Sequence, residues 1–134
     1  MIWFLDTNIV IACLRGTSPQ AMRRLHEVAA SEVRIALQVR AELLVGAARS
    51  ANPARAKERV MGFLAPFGLV WPDSKVEDHY VSIRAHLESV GTPIGEADLW
   101  IAATARAIQG GVVTNNWREF DRVPDLHVVD WTKA

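Results

Sequence analysis

Ile2-Trp3-Phe4-Leu5-Asp6-Thr7-Asn8 is the stretch that decides the fold. Four apolar residues follow one another without alternation, the pattern of a short strand buried on both faces. Asp6 closes the run. Thr7 or Asn8 then serves as cap for a helix over Ile9 to Leu14, which Gly16 ends. In open parallel sheets, ligands bind beyond the carboxyl ends of the strands. Asp6 stands at such a point. A carboxylate at the edge of a buried element is costly unless something satisfies it, because an unpaired charge away from water is strongly unfavourable.

The same alternation continues along the chain. Gln20 to Ala30 places Met22, Leu25, Val28 and Ala29 at helical spacing, Val33 to Leu37 reads as a strand, and Val39, Leu43, Gly46 and Ala47 mark one face of the next helix. Pro53 suits the first turn of a fourth helix with Val60, Met61 and Leu64 inward, closed by Pro66. Leu69 to Trp71 is a strand candidate. Val76, Tyr80, Ile83, Leu87 and Val90 predict an amphipathic helix that Gly91 stops. The Ala-rich segment Glu96 to Gln109 is apolar on most sides and predicts a buried helix. Gly110-Gly111 ends it, Val112-Val113-Thr114 is a strand, and His127 to Val129 an edge strand. Short strands alternating with helices predict an α/β sandwich with a mainly parallel sheet. There is no repeat, low-complexity tract or linker, so residues 1–134 read as a single domain.

Composition narrows the classes. At 134 residues and 50% hydrophobic, the chain is long enough for one real core. Its apolar runs, such as Ile9 to Leu14, fall far short of the roughly 18 residues that span a bilayer. No basic leader precedes the apolar start, so a cytoplasmic location is the default expectation. The single Cys13 has no partner for an internal disulfide and reads as a small buried hydrophobe. His26, His79, His86 and His127 are scattered, which argues against a zinc site. Net charge is zero, yet Arg15 to Arg59 holds nine basic residues against four acids. Most of these are Arg, suited to bidentate phosphate contact. Solvated helix faces are the plain alternative, since asymmetry in sequence need not become a patch in space.

Three further polar positions fall where Asp6 falls, next to apolar elements. Glu42 interrupts the face marked by Val39 and Gly46 and is expected to project along packed surface rather than into water. Asp98 lies in the opening turn of a helix, where the backbone dipole tolerates negative charge. Asn116 follows the apolar pair Val112-Val113. Each has a dull reading: Asp6 as a turn or cap residue, Glu42 paired with Arg40 or Arg49, Asp98 as a cap, Asn116 as a turn residue. Together, four independent elements aim oxygens at one sheet edge, and convergent oxygens suggest a hard cation such as magnesium.

Blocks of residues across nearly the whole chain resemble the PIN-domain ribonucleases, and among them the VapC-type toxins of bacterial toxin–antitoxin pairs. The blocks are Leu5-Asp6-Thr7-Asn8, then Ala41-Glu42-Leu43 with Gly46-Ala47, then Pro93-Ile94-Gly95 leading to Asp98 with Ile101-Ala102-Ala103. The last is Thr114-Asn115-Asn116-Trp117-Arg118-Glu119-Phe120, followed by Arg122-Val123-Pro124 and Asp130-Trp131. Any one block is weak; the ordered set is specific. The resemblance implies a three-layer sandwich and catalytic roles for Asp6, Glu42, Asp98, Asn116 and Glu119, with Mg2+ or Mn2+ on Asp6 and Asp98. Family members often carry Asp where this chain has Asn116, so Glu119 is expected to supply the remaining charge. Thr7 and Thr114 look like hydroxyls that orient carboxylates.

The resemblance further implies hydrolysis of RNA by metal-activated water, a homodimer, and neutralisation by a cognate VapB-type antitoxin. Surfaces available for these partners are the Met22-Leu25-Val28 and Val60-Met61-Leu64 stripes, which read equally as plain core. Arg40, Arg118 and Arg122 are the candidate guides for phosphates, and Trp117 either stacks on a base or packs at the sheet edge. Two other classes compete. A non-catalytic interaction module would keep this fold without the reaction. A phospho-acceptor receiver domain shares an acidic strand-end pocket but wants a Lys beyond a late strand, and Lys57, Lys75 and Lys133 follow none.

Overall fold

The structure, a computed structural model, describes residues 1–133. Five strands form one sheet: β1 (Trp3–Leu5), β2 (Val33–Ala36), β3 (Gly68–Val70), β4 (Gly111–Val113) and β5 (His127–Val129). Their order is β3-β2-β1-β4-β5, and every neighbouring pair is parallel. Seven helices flank the sheet and complete a three-layer α/β sandwich: α1 (Thr7–Arg15), α2 (Pro19–Glu27), α3 (Leu37–Ala48), α4 (Pro53–Leu64), α5 (Ser74–Ser89), α6 (Glu96–Ala107) and α7 (Trp117–Phe120).

Burial follows strand position. Phe4, Leu5, Val33, Ile35, Val112 and Val113 on the three central strands are enclosed from both faces, whereas β3 and β5 at the edges are only partly covered. This is why the central strands are uninterrupted apolar runs. α6 is the most enclosed helix, with Leu99, Ile101, Ala102, Ala103, Thr104, Ala105 and Ala107 all buried. Its alanines leave room for α5, which packs along it.

The chain runs from β1 outward to β2 and β3, then crosses back over β1 to place β4 and β5 on the other side. The order therefore reverses between β1 and β4. Crossovers leave that crevice open at the carboxyl ends of the strands, where ligands bind in sheets of this kind. Leu5 is level with Val113 across it, so Asp6 and Thr114 emerge side by side.

Element ends depart from the sequence reading in a few places. Asp6 itself caps α1, in extended conformation, with its Oδ1 accepting from the Thr7 amide at 2.7 Å. The earlier carboxylate wins over Thr7 and Asn8 because β1 ends at Leu5 and the helix starts without a linking residue. α2 stops at Glu27, where Val28 turns extended, and a short 3-10 turn at Ala30–Glu32 leads into β2. β3 ends at Val70, leaving Trp71 beyond the sheet and 62% exposed.

Candidate active site

Asp6 is held hard at the crevice. It is 5% exposed, and beside the Thr7 amide on Oδ1 its Oδ2 accepts from the Thr114 hydroxyl at 2.8 Å. Thr114 is wholly buried at the end of β4, and the same Oγ1 accepts from the Asn116 amide at 2.9 Å. One hydroxyl thus ties β1, β4 and the loop into α7. Burial pushes the Asp6 carboxyl up from its ordinary value, against the pull of Thr114 and Thr7, with the Glu119 charge adding to the rise.

Asp98 stands in the first turn of α6 and does not cap it; Gly95 occupies that place, with no side-chain cap. The dull reading of Asp98 as a cap is therefore removed. Asn116 Nδ2 reaches Glu119 Oε2 at 2.5 Å and Asp98 Oδ2 at 3.5 Å, so an amide bridges two carboxylates. Asp98 also shares a hydrogen bond with Glu119. Burial, that bond, and the charges of Asp6, Glu119 and Glu42 push Asp98 up to about 8. Glu119 moves the other way, stabilised by Asp98, Asn116, the Arg122 charge and the Gly95 amide. The two carboxyls are thus driven in opposite directions, Asp98 upward because it is the deeper group and is ringed by like charges.

Glu42 corrects one expectation. Val39, Leu43 and Ala47 are the residues of α3 that face the core, and Glu42 lies beside that stripe at an exposed rim. Its position one residue before Leu43 turns it about 100° from the packed line. The Arg40 and Arg49 pairings are absent among the described ion pairs, which lie on the outer faces of α2, α5 and α6. Glu42 instead looks toward the crevice. Partial burial and the Asp6 charge raise its carboxyl, and the Thr7 hydroxyl opposes them. Thr7 Oγ1 itself is enclosed and closes no hydrogen bond of normal geometry.

Of the five residues expected here, Asp98, Asn116 and Glu119 are in contact, Asp6 is joined to them through Thr114 and the Asn116 amide, and Glu42 stands at the rim. The sequence reading gives no role to Gln38, whose Oε1 is buried without a partner one turn ahead of Glu42. The i, i+4 spacing on α3 is the available signal. Of the expected phosphate guides, Arg122 is tied to the Pro93 carbonyl at 3.1 Å, and Arg40 lines a separate groove with Ile35, Met61, Leu64 and Leu69. Arg118 lies over the Trp117 ring.

The donor set is all hard oxygen, it carries four carboxylates without a cationic contact among the described ion pairs, and it leaves the Thr7 hydroxyl unpaired. Those features fit a divalent cation of the magnesium class. Among the described residues no three acidic, His or Cys side chains already surround one point closely enough to hold an ion.

An acid-lined crevice at the switch point of a parallel sheet marks a class of proteins, and the chain belongs to one such class, the PIN-domain family, whose model matches residues 3–126. Within it, the chain is similar to VapC proteins along its whole length. It is 35% identical over 129 residues to the tRNA(fMet)-specific endonuclease VapC of Salmonella typhimurium, covering 96% of this chain and 97% of that one. It is 31% identical over 134 residues to Ribonuclease VapC1 of Haemophilus influenzae, covering 99% and 100%. Among solved structures, the DNA-bound VapBC of Salmonella typhimurium superposes with a TM-score of 0.91 at 34% identity, over 98% of both chains.

Proposed function

We infer that this chain is a VapC-type endoribonuclease toxin, one domain over residues 1–134, that hydrolyses RNA phosphodiesters with Mg2+ or Mn2+. The observation that carries the reading is the convergence of Asp6, Glu42, Asp98, Asn116 and Glu119 at the β1–β4 crevice without a neutralising ion pair. Whole-length similarity to proteins named ribonucleases supports it.

Asp6 and Asp98 would hold the cation, with Glu42 and Glu119 widening the acidic cup. A cation held by them would supply Lewis-acid polarisation of a phosphoryl oxygen and a water of lowered pKa. Thr114 fixes the Asp6 carboxylate by the 2.8 Å bond and aligns the loop through the Asn116 amide. Asn116, neutral where a carboxylate would add charge, holds Glu119 and Asp98 together. Attack by water leaves 5′-phosphate and 3′-hydroxyl ends.

A cognate VapB-type antitoxin is the natural inhibitor in this reading, as the solved relatives are VapBC complexes. Two apolar grooves suit it. One is lined by Ile11, Leu14, Leu43, Ala47, Ala56 and Val60, the other by Met22, Leu25, Val28, Phe63 and Phe67. The chain pairs as a homodimer, which sedimentation of the free toxin checks. It acts in the cytoplasm, where its RNA substrate lies, and no helix among the described residues is long and apolar enough to cross a membrane.

The test is cleavage of total RNA by the purified, antitoxin-free chain in Mg2+, Mn2+ or EDTA, with initiator transfer RNA as a separate substrate because the Salmonella relative bears that name. Discrete cuts with 5′-phosphate ends, abolished by EDTA, are expected. Cyclic 2′,3′-phosphate ends would overturn the hydrolytic mechanism. A folded chain inert in both metals would leave a non-catalytic PIN module.

A further inference from the structure

Resting on the ribonuclease reading, we propose that Trp117 is the stacking platform that seats a nucleobase of the RNA beside the acidic cup. Trp117 opens α7 directly after Asn116, so its backbone is fixed to the site by the same loop that Thr114 ties down. Its carbonyl accepts from the Asp121 amide at 2.7 Å, which closes the turn and keeps the platform rigid. The ring does not pack into the sheet edge: it is 41% exposed, whereas Trp131 is 2% exposed and lies edge-on to Trp3.

Two cations flank this ring. The Arg118 guanidinium lies 5.7 Å and the Lys133 ammonium 5.9 Å from its centroid. A cup of carboxylates repels a polyanion, so a phosphate next to it needs positive charge close by. Arg122 donates to the Pro93 carbonyl and its charge already acts on Glu119, and Arg40 lines another groove, whereas Arg118 and Lys133 are the cations held against this ring. An exposed cation over an aromatic face is held weakly, and a base stacked on the same face is held more strongly. A base therefore displaces one cation from the ring, and the displaced cation meets the neighbouring phosphate. An aromatic face with cations at its edge is the recognition chemistry of single-stranded nucleic acid. Trp71, also exposed at the carboxyl edge, sits beyond edge strand β3, three strands from β4, and has neither flanking cation.

Binding is read by quenching of tryptophan emission on adding a single-stranded deoxyribo-oligonucleotide, which supplies bases and phosphates without a cleavable site for the ribonuclease. Wild type, Trp117→Phe, Trp117→Leu and Trp71→Phe are compared in EDTA, and KM and kcat for an RNA substrate are then measured with Mn2+. The expected result is quenching that disappears in Trp117→Phe and persists in Trp71→Phe. KM for RNA rises about tenfold in Trp117→Leu, the order expected for one stacked base, with most of it restored by Trp117→Phe and kcat changed far less. Quenching that survives in Trp117→Phe, or a KM equal to wild type in Trp117→Leu, would overturn the proposal. Failure of the wild type to cut any RNA would remove the ribonuclease reading instead, and the quenching comparison alone would then decide whether Trp117 stacks on bases.

Discussion

At the amino end of the sheet the backbone leaves no room. A Cβ on Gly110 would come within 2.7 Å of the Ile2 carbonyl oxygen, and one on Gly111 would run into the Trp3 ring and the His127 carbonyl. Arg106 there spends its guanidinium on three acceptors, His79 Nδ1 at 2.8 Å, Pro124 O at 3.1 Å and Ser82 Oγ at 3.1 Å, stitching α5, α6 and the loop before β5. At the carboxyl end of the same strands, four carboxylates act on one another, burial and like charge push Asp98 up to about 8, and the Thr7 hydroxyl and Gln38 carbonyl oxygen stay unpaired. Buried polar groups are normally satisfied, so unsatisfied ones gathered at one place mark a site kept ready for something else. The amino end is built for stability and the carboxyl end is held at some cost to it.

That contrast breaks most sharply at Asp98. Asp98→Asn should lower metal-supported RNA cleavage to below about one hundredth of wild type, since even indirect supports of metal sites are worth 10- to 100-fold. The same change should stabilise the fold without metal at alkaline pH. Folded Asp98 titrates near 8 against an ordinary 3.8, so the folded state holds the proton more tightly than the unfolded chain. Wild-type stability is therefore favoured by this group below about pH 4 and falls as pH rises toward 8. Urea midpoints in EDTA at pH 5 and pH 8 check it: the wild type should lose stability between them, and the Asp98→Asn variant should lose less. A variant less stable than wild type at pH 8 would break the comparison.

Thr114→Val sharpens it, removing the hydroxyl that orients Asp6 and receives the Asn116 amide. Cleavage should fall 10- to 100-fold by the same reasoning about supports of metal sites, with activity measured on protein of verified fold. Gly111→Ala probes the opposite end. Overpacking there should cost about 1–3 kcal/mol in denaturant stability, while specific activity per folded molecule is kept. Smallest is Arg118→Ala, which should lower the slope of log affinity for RNA against log salt by about one. An unchanged slope would take Arg118 off the phosphate path.

Much of the architecture is legible because period and burial are linked. The unbroken run before Asp6 and the Ala-rich segment after Glu96 could only be a central strand and an enclosed helix. Asp6, Asp98 and Asn116 are legible as candidates because polar groups at the ends of apolar elements stand out, and Glu42 because it interrupts one, whereas Glu119 enters only through the family resemblance. The exposure of Glu42 is not legible, since its position beside Leu43 on α3 depends on which stripe the helix turns inward. Gln38 escapes notice, because an amide one turn before an acid looks ordinary until its oxygen proves unpaired. The plain reading of Asp6 as a cap residue holds at α1, whereas the assignment of the cap to Thr7 or Asn8 falls one or two residues late, as nothing local tells which of the three the strand will leave in extended conformation.

By itself the sequence determined the succession of strands and helices, most of the core (Met61 and Val90, read on apolar faces, are exposed), and the acids near the element ends, all of which follow from local periodicity and the cost of burying charge. Only the tertiary structure decided that the strand order reverses between β1 and β4, which sets Asp6 against Thr114 across 108 residues of chain. It alone decided that Asp98 and Glu119 are driven in opposite directions, and that Trp117 stays exposed with Arg118 and Lys133 over its ring. Electrostatic coupling and solvent exposure depend on distances through space, and spacing along the chain does not encode them.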